Sequence, residues 1–361
     1  MVAVPARASE IDAAWLNEVD AEGVGRVAEV RVDDLGTGVG ILGEIVRLTL
    51  TYEPGETGPA TLIAKGASPS EESVGLCLAM GFYDREISFY RQLAADLDRV
   101  RVPKPYHVGA AEGTVPFVLL LEDISGARCP DQIAGIDAED ARRILETAAG
   151  LHATFWESPA LHALDWLPPM NNPMYAASQA LAEMRWDGFV EVWGPRVPPK
   201  ALAAAGEVIP RYSRLLEWWD EQGNQTFAHT DCRAENYLFG GSAGDDTVTM
   251  VDFQLSTRHV GAWDVANLLG GSMTAEVRRS VEDDLVTGYH STLVELGVTD
   301  YSLDQLWRDI RMSWLQQIFS SVVVSDLEGG NERGDDLMAE LLTRPFLAAD
   351  DHDAGALIAE L

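Results

Sequence analysis

The residues whose types and spacing could do chemistry lie in one stretch. His229-Thr230-Asp231-Cys232-Arg233-Ala234-Glu235-Asn236-Tyr237-Leu238-Phe239 is followed by Val251-Asp252-Phe253-Gln254, its Asp252 thirteen residues beyond Phe239, and then by Trp263-Asp264. Asp231 can align a hydroxyl nucleophile and accept its proton. Asn236, five residues later, offers a neutral oxygen ligand, and Asp252, after apolar Val248, Met250 and Val251, a charged one. Hard oxygen donors of this kind suit Mg²⁺, which keeps several waters and is completed by phosphate oxygens. Phosphoryl transfer needs that metal arrangement and a positioned acceptor.

The order H-x-D-x-x-x-x-N followed by D-F-x is similar to the catalytic loop and metal-binding aspartate of the protein-kinase fold. The fuller form, H-T-D-x-R-x-E-N-x-L-F with V-D-F-Q and W-D, resembles the aminoglycoside phosphotransferase and choline kinase superfamily of small-molecule kinases, over roughly residues 35–270. The resemblance implies an α+β, bilobal protein-kinase-like fold, with a β-rich N-lobe over residues 1–122 and a mainly helical C-lobe over 123–361. It implies ATP and Mg²⁺, with Asp231 as catalytic base or aligner and Asn236 and Asp252 on the metal. Lys65, oriented by Glu86, would contact the α- and β-phosphates. Arg233 would either neutralise charge on the transferring phosphoryl group or bond to the loop, and Asp264 would brace the loop. Thr230 stands where the superfamily usually has Gly, and Gln254 where protein kinases have Gly.

These groups need elements to hold them. Gly38, Gly40 and Gly43 fit G-x-G-x-x-G, which as a dinucleotide-binding fingerprint would require a helix straight after it. Val46, Leu48, Leu50 and Tyr52 instead alternate with polar residues, and a period of two predicts a strand. A glycine-rich turn running into a strand covers nucleotide phosphates in the kinase fold. Residues 60–65 form a second apolar strand ending in Lys65, one of only three lysines beside 23 arginines. The spacing predicts a helix over Phe82 to Leu97, with Phe82, Phe89, Tyr90, Leu93 and Leu97 on one stripe and Glu86 inside it. A carboxylate facing a core is costly unless paired, and Lys65 is its expected partner.

Phe117 to Leu121 reads as a buried strand. The resemblance makes Glu122 to Ile124 a hinge whose backbone holds the adenine. Asp137 caps a helix with Ile144, Leu145, Ala148, Leu151 and Phe155 inward, and His152 beside that face reads as a core residue. Six of ten tryptophans fall between 156 and 225, a mostly helical segment that the resemblance places at the acceptor site. At the start, Ser9 is expected to cap a short helix to Val19. Beyond Asp264 the chain is expected to be helical to about Ser325. A loop over Asp326 to Asp336, a short helix over Leu337 to Leu342 and a fraying end from Leu347 to Leu361 should follow.

Composition narrows the partners. The 361 residues are 47% hydrophobic, enough for two domains or lobes with a sizeable core. A net charge of −32, from 26 basic and 58 acidic residues, argues against nucleic acid and against an anionic membrane surface. Together with the acid- and tryptophan-rich segment before His229, it favours a cationic or neutral acceptor over an anionic one. Cys77, Cys129 and Cys232 show no paired or metal-ligand spacing, which points to reduced thiols and a cytoplasmic setting. The start of the chain lacks a signal-peptide apolar region, and no apolar run approaches the ~18 residues of a membrane span.

The expected function is transfer of the γ-phosphate of ATP to a small-molecule hydroxyl on an aminoglycoside-, choline- or sugar-like acceptor. The alternatives are an inactive nucleotide-binding module of the same fold, or a kinase acting on a hydroxyacyl thioester. The presence of Lys65, Glu86, Asp231, Asn236 and Asp252 counts against the inactive module. Gln254, with no room for an activation segment before Trp263, counts against a protein kinase.

Overall fold

The computed structural model describes residues 2–35, 42–327 and 331–361. Gly38 and Gly40 lie outside the described residues. The chain forms two compact units, Met1–Ala127 with Gly240–Gln254, and Arg128–Phe239 with Leu255–Leu361.

The first unit is built on an antiparallel five-stranded sheet, in the order β1 (Val27–Asp34), β2 (Gly43–Tyr52), β3 (Thr61–Ala67), β5 (Phe117–Glu122), β4 (Pro105–Ala110). In β2 the inward residues Val46, Leu48 and Leu50 are buried and alternate with half-buried or exposed ones, as a sheet with one covered face requires. They pack with Leu62, Ala64, Val118 and Leu120 under Ile11 and Leu16 from the N-terminal segment. Helix α1 (Ala13–Val19) is capped by Asp12, whose carboxylate accepts from the Trp15 N–H, and not by Ser9. Ser9 instead donates its hydroxyl to Glu44 on β2.

Helix α2 (Glu71–Met80), capped by Ser70, has no counterpart in the sequence expectations, because its apolar residues make no stripe. Gly81, at φ 68°, turns the chain directly into α3 (Phe82–Gln92). A positive φ there is what glycine supplies without strain. The helix stops five residues short of Leu97, and a single 3₁₀ turn follows.

The second unit is mainly helical: α4 (Ala138–Phe155), α5 (Pro159–His162), α6 (Pro173–Val192), α7 (Pro199–Val208), α8 (Tyr212–Gln222), α9 (Ala262–Ser272), α10 (Ala275–Glu295), α11 (Leu303–Val323) and α12 (Glu332–Asp351). Asp137 caps α4 as expected, and the five inward residues of that helix are buried. Two short antiparallel strands, Gln225–Ala228 and Thr257–Val260, frame the start of the 229–239 loop.

The C-terminal segment departs from expectation. Helix α12 runs from Glu332 through Pro345 to Asp351, well beyond the short helix read from the sequence. The final residues do not fray: Leu357 and Ile358 are buried, and Arg311 donates to the carbonyls of His352 and Asp353. Apolar burial and backbone capping together hold this tail. Among the described residues no helix is long and apolar enough to cross a membrane, and all three cysteines are free.

Candidate active site

In the first unit, β3 and α3 bring Lys65 and Glu86 together. The Lys65 ammonium lies 2.8 Å from both Glu86 carboxylate oxygens, and both side chains are almost fully buried. Lys65 also donates to Asp252 Oδ1 at 3.1 Å. Burial alone would lower the Lys65 pKa. The charges of Asp252 and Glu86 outweigh it and hold the ammonium above its ordinary value. Burial pushes Glu86 up, against the pull of Lys65 and of a hydrogen bond from the Phe253 backbone. The Phe253 ring stacks on Phe89 of α3 with centroids 3.5 Å apart, so Asp252 is tied to the helix that carries Glu86. Asp252 itself has φ 67°, a left-handed backbone position.

Gly43 opens β2 where a Cβ would meet the Gly66 carbonyl at 3.2 Å and Lys65 Cε at 3.6 Å. Glycine here leaves room beside the lysine stem. At the other end of the sheet, the Glu122 carboxylate pairs with Arg101 and accepts from the Lys104 N–H. Asp123 is held by Arg47 of β2 at 2.6 Å. The Ile124 carbonyl accepts from Ala127, while its N–H has no protein partner among the described residues. That donor is of the kind a purine edge can use.

In the second unit, Asp231 sits on the 229–239 loop and is partly exposed. Its Oδ2 accepts from Asn236 Nδ2 at 2.8 Å and from Arg233 Nε at 3.2 Å. The same Asn236 nitrogen also donates to the Asp231 carbonyl. The amide nitrogen of Asn236 is therefore spent on Asp231, which leaves Oδ1 without a hydrogen bond among the described residues. In the second unit Asn236 thus offers a fixed neutral oxygen, and in the first unit Asp252 offers a carboxylate, both hard oxygen donors. Mg²⁺ takes one or two carboxylates and completes its shell with water and phosphate. No cluster of three or more His, Cys, Asp or Glu ligands occurs among the described residues.

Arg233 bridges two carboxylates, Asp231 and Glu235, the latter at 2.8 Å through Nη1. Glu235 in turn accepts from Arg333 of α12 at 2.7 Å.

The loop's backbone is set by Asp264 at the start of α9, which is wholly buried. One of its oxygens accepts from the His229 N–H at 2.7 Å and from His152 Nε2 at 3.0 Å, the other from the Thr230 N–H at 2.8 Å. A carboxylate can only accept, so Nε2 of His152 carries the proton. Nδ1 then accepts from the Tyr289 hydroxyl at 2.7 Å. Burial would raise the Asp264 pKa, but the bond from His152 and the neighbouring charges and backbone donors hold it below the ordinary carboxylate range. Thr230 has φ 68°. For a β-branched residue this costs about 1–2 kcal/mol. It persists because Asp264 grips its N–H, the Trp263 indole donates to its carbonyl at 3.1 Å and its hydroxyl meets that of Thr257 at 2.8 Å.

Residues 51–301 match the sequence model of the phosphotransferase enzyme family. The chain belongs to that family. No curated protein matches the sequence. Among solved structures, the phosphotransferase is similar to a candidate aminoglycoside phosphotransferase from Ralstonia eutropha JMP134, at 15% identity and TM-score 0.54, over 94% of this chain and 96% of the other. It is also similar to APH(2″)-IIIa in complex with GDP and kanamycin, at 13% identity and TM-score 0.53, over 91% and 94%. A third is choline kinase from Cryptosporidium parvum Iowa II, at 12% identity and TM-score 0.53, over 92% and 90%. At these identities the likeness is one of fold, and the fold is the α+β kinase-like one expected from the motif.

The structure thus joins Lys65, Glu86 and Asp252 in one unit, and Asp231, Arg233 and Asn236 in the other. Sequence reasoning missed the part played by His152, which it read as a core residue. The residue is buried, but it is a link in the brace behind Asp231. It also missed Tyr289 and Arg333. Their partners lie 137 and 98 residues away along the chain, and no local spacing signals them.

Proposed function

We propose that this phosphotransferase moves the γ-phosphate of ATP to a hydroxyl of a small molecule. The observation that carries the reading is Asp231: a solvent-reachable carboxylate held in one orientation by Asn236 and Arg233, on a loop pinned from behind by Asp264. A carboxylate fixed in this way can align an acceptor hydroxyl and take its proton, and positioning supplies most of the catalysis in phosphoryl transfer. Lys65 would contact the nucleotide phosphates as a point charge, with Glu86 holding its stem. The Glu122–Ile124 backbone would take the purine. Asn236 and Asp252 would hold Mg²⁺, which when bound neutralises charge on the phosphate oxygens.

The acceptor is read as cationic or neutral. The net charge of −32 favours a cation electrostatically. Kanamycin, bound by one structural neighbour, and choline, named in another, are both cations.

The test is an ADP-release screen of the purified protein with MgATP against aminoglycosides, macrolides, choline-like amino alcohols, sugars and hydroxyacyl thioesters. The reading expects acceptor-dependent ADP release with one of the first four classes. Release confined to a hydroxyacyl thioester would move the substrate class. Absence of release from every class, together with calorimetry showing no MgATP binding, would refute the phosphotransferase reading for this chain.

A further inference from the structure

The Asp231–Arg233 pair does not end the line of charges on this loop. Arg233 gives Nε to Asp231 at 3.2 Å and Nη1 to Glu235 Oε2 at 2.8 Å. The other oxygen of Glu235, Oε1, accepts from Arg333 Nη2 at 2.7 Å. Arg333 belongs to the first turn of α12, which is fixed by the Asn331 side chain accepting from the Gly334 N–H. The only other carboxylate paired with Arg333 among the described residues is Asp131, at 3.8 Å. The Glu235 side chain is 6% exposed and that of Arg333 is 44% exposed. A buried carboxylate therefore has one guanidinium on each oxygen, one from the catalytic loop and one from a helix 98 residues downstream.

We propose that Arg333 is a positioning residue: by occupying Glu235, it leaves Arg233 free to stay on Asp231. The proposal rests on the reading of Asp231 as the group that aligns the acceptor. A buried carboxylate stripped of one cation pulls harder on the cation that remains. Without Arg333, Glu235 draws Arg233 toward itself. The longer of the two Arg233 contacts, the one to Asp231, is the one that yields. Asp231 is then held by Asn236 alone. The line Asp231, Arg233, Glu235, Arg333 also changes from net neutral to net −1, beside the place where a negatively charged phosphoryl group would have to arrive.

Two experiments test this. The first needs no turnover. Arg333→Ala and Asp231→Asn change side chains that make no bond to each other. Independent effects multiply in the unfolding equilibrium constant measured in urea, whereas residues in one network do not. The relay predicts that the double variant departs from the product by about twofold or more. A product that holds overturns the relay.

The second uses the acceptor found by screening. Arg333→Ala should lower kcat by on the order of tenfold, the effect of one misplaced charge at this range, with the KM for MgATP unchanged. Arg333→Lys should keep part of the rate, because it restores the charge without the fork. Adding Glu235→Gln to Arg333→Ala should recover most of the rate, because it returns the line to neutrality. A packing role for Arg333 would give no such recovery. Wild-type kcat in Arg333→Ala, or no recovery in the double variant, refutes the proposal. A wild-type protein that turns over no acceptor would instead count against the functional reading, and the unfolding cycle alone would then judge the relay.

Discussion

Replacing Asp264 by Asn tests whether the brace behind Asp231 works as its geometry says. The carboxylate accepts three hydrogen bonds in a site with no solvent exposure, two of them from consecutive backbone N–H groups. An asparagine keeps the shape but has one acceptor oxygen. If that oxygen takes the place of the one facing His229 and His152, the amide NH₂ meets the Thr230 N–H, donor against donor. If the amide flips, the NH₂ meets the His229 N–H instead. Either way one buried backbone donor loses its partner, at about 1–3 kcal/mol. The remaining bonds lose their charge assistance as well. We expect a total near 2–3 kcal/mol, seen as a fall of about 4–12 °C in the melting temperature of a unit of this size. Turnover should fall further than stability explains. Thr230 is held at φ 68° against its own preference, and releasing its N–H lets the backbone relax and carry Asp231 with it. Glycine adopts that φ freely. Thr230→Gly in the Asp264→Asn background should therefore restore part of the turnover while leaving the melting temperature low. Calorimetric melting and steady-state kinetics on the two single variants and the double variant decide the matter. An Asp264→Asn protein with unchanged melting and unchanged kcat, or a double variant no faster than Asp264→Asn, would show that Asp264 does not govern the loop.

Three further outcomes are expected. On the proposal that Asp231 acts on the acceptor, Asp231→Asn should reduce kcat by about 10²–10⁴-fold while calorimetry shows MgATP affinity nearly unchanged; near-wild-type turnover would remove Asp231 from that role. Asp252→Ala should abolish the Mg²⁺ dependence of nucleotide binding, leaving Lys65 to its pair with Glu86; equal MgATP affinity in the variant would exclude Asp252 as a ligand. Burial depresses the His259 pKa to about 3, so the folded chain binds fewer protons than the unfolded chain between that value and the ordinary 6.5. The stability that His259 contributes is present above pH 6.5 and is lost as pH falls, by about 2–3 kcal/mol between pH 6.5 and 4.5. Urea unfolding of His259→Phe should show a correspondingly shallower acid slope, and an unchanged slope would contradict the buried neutral imidazole.

By itself the sequence determined what short-range order can carry. The spacing of Asp231, Asn236 and Asp252 is local, and it named the chemistry. A short apolar run put Lys65 at the end of a strand, and a period of 3.6 put Glu86 on the inward face of a helix, where burial demanded a cation. With one lysine ending an apolar strand nearby, the pair followed. Missed or misjudged were features whose cause lies in packing between distant segments. Helix α2 has apolar residues all round and so no readable stripe. The length of α12 and the docking of the tail depend on surfaces offered by α11, which its own sequence does not announce. Asp264 reads from the sequence as a brace, but its partner His152 on α4, and Tyr289 on α10 behind His152, come together with it only in the fold. The left-handed backbone of Thr230 is the clearest case. Local preference for a β-branched residue opposes that conformation, and only the tertiary grip of Asp264, Trp263 and Thr257 makes it the stable one.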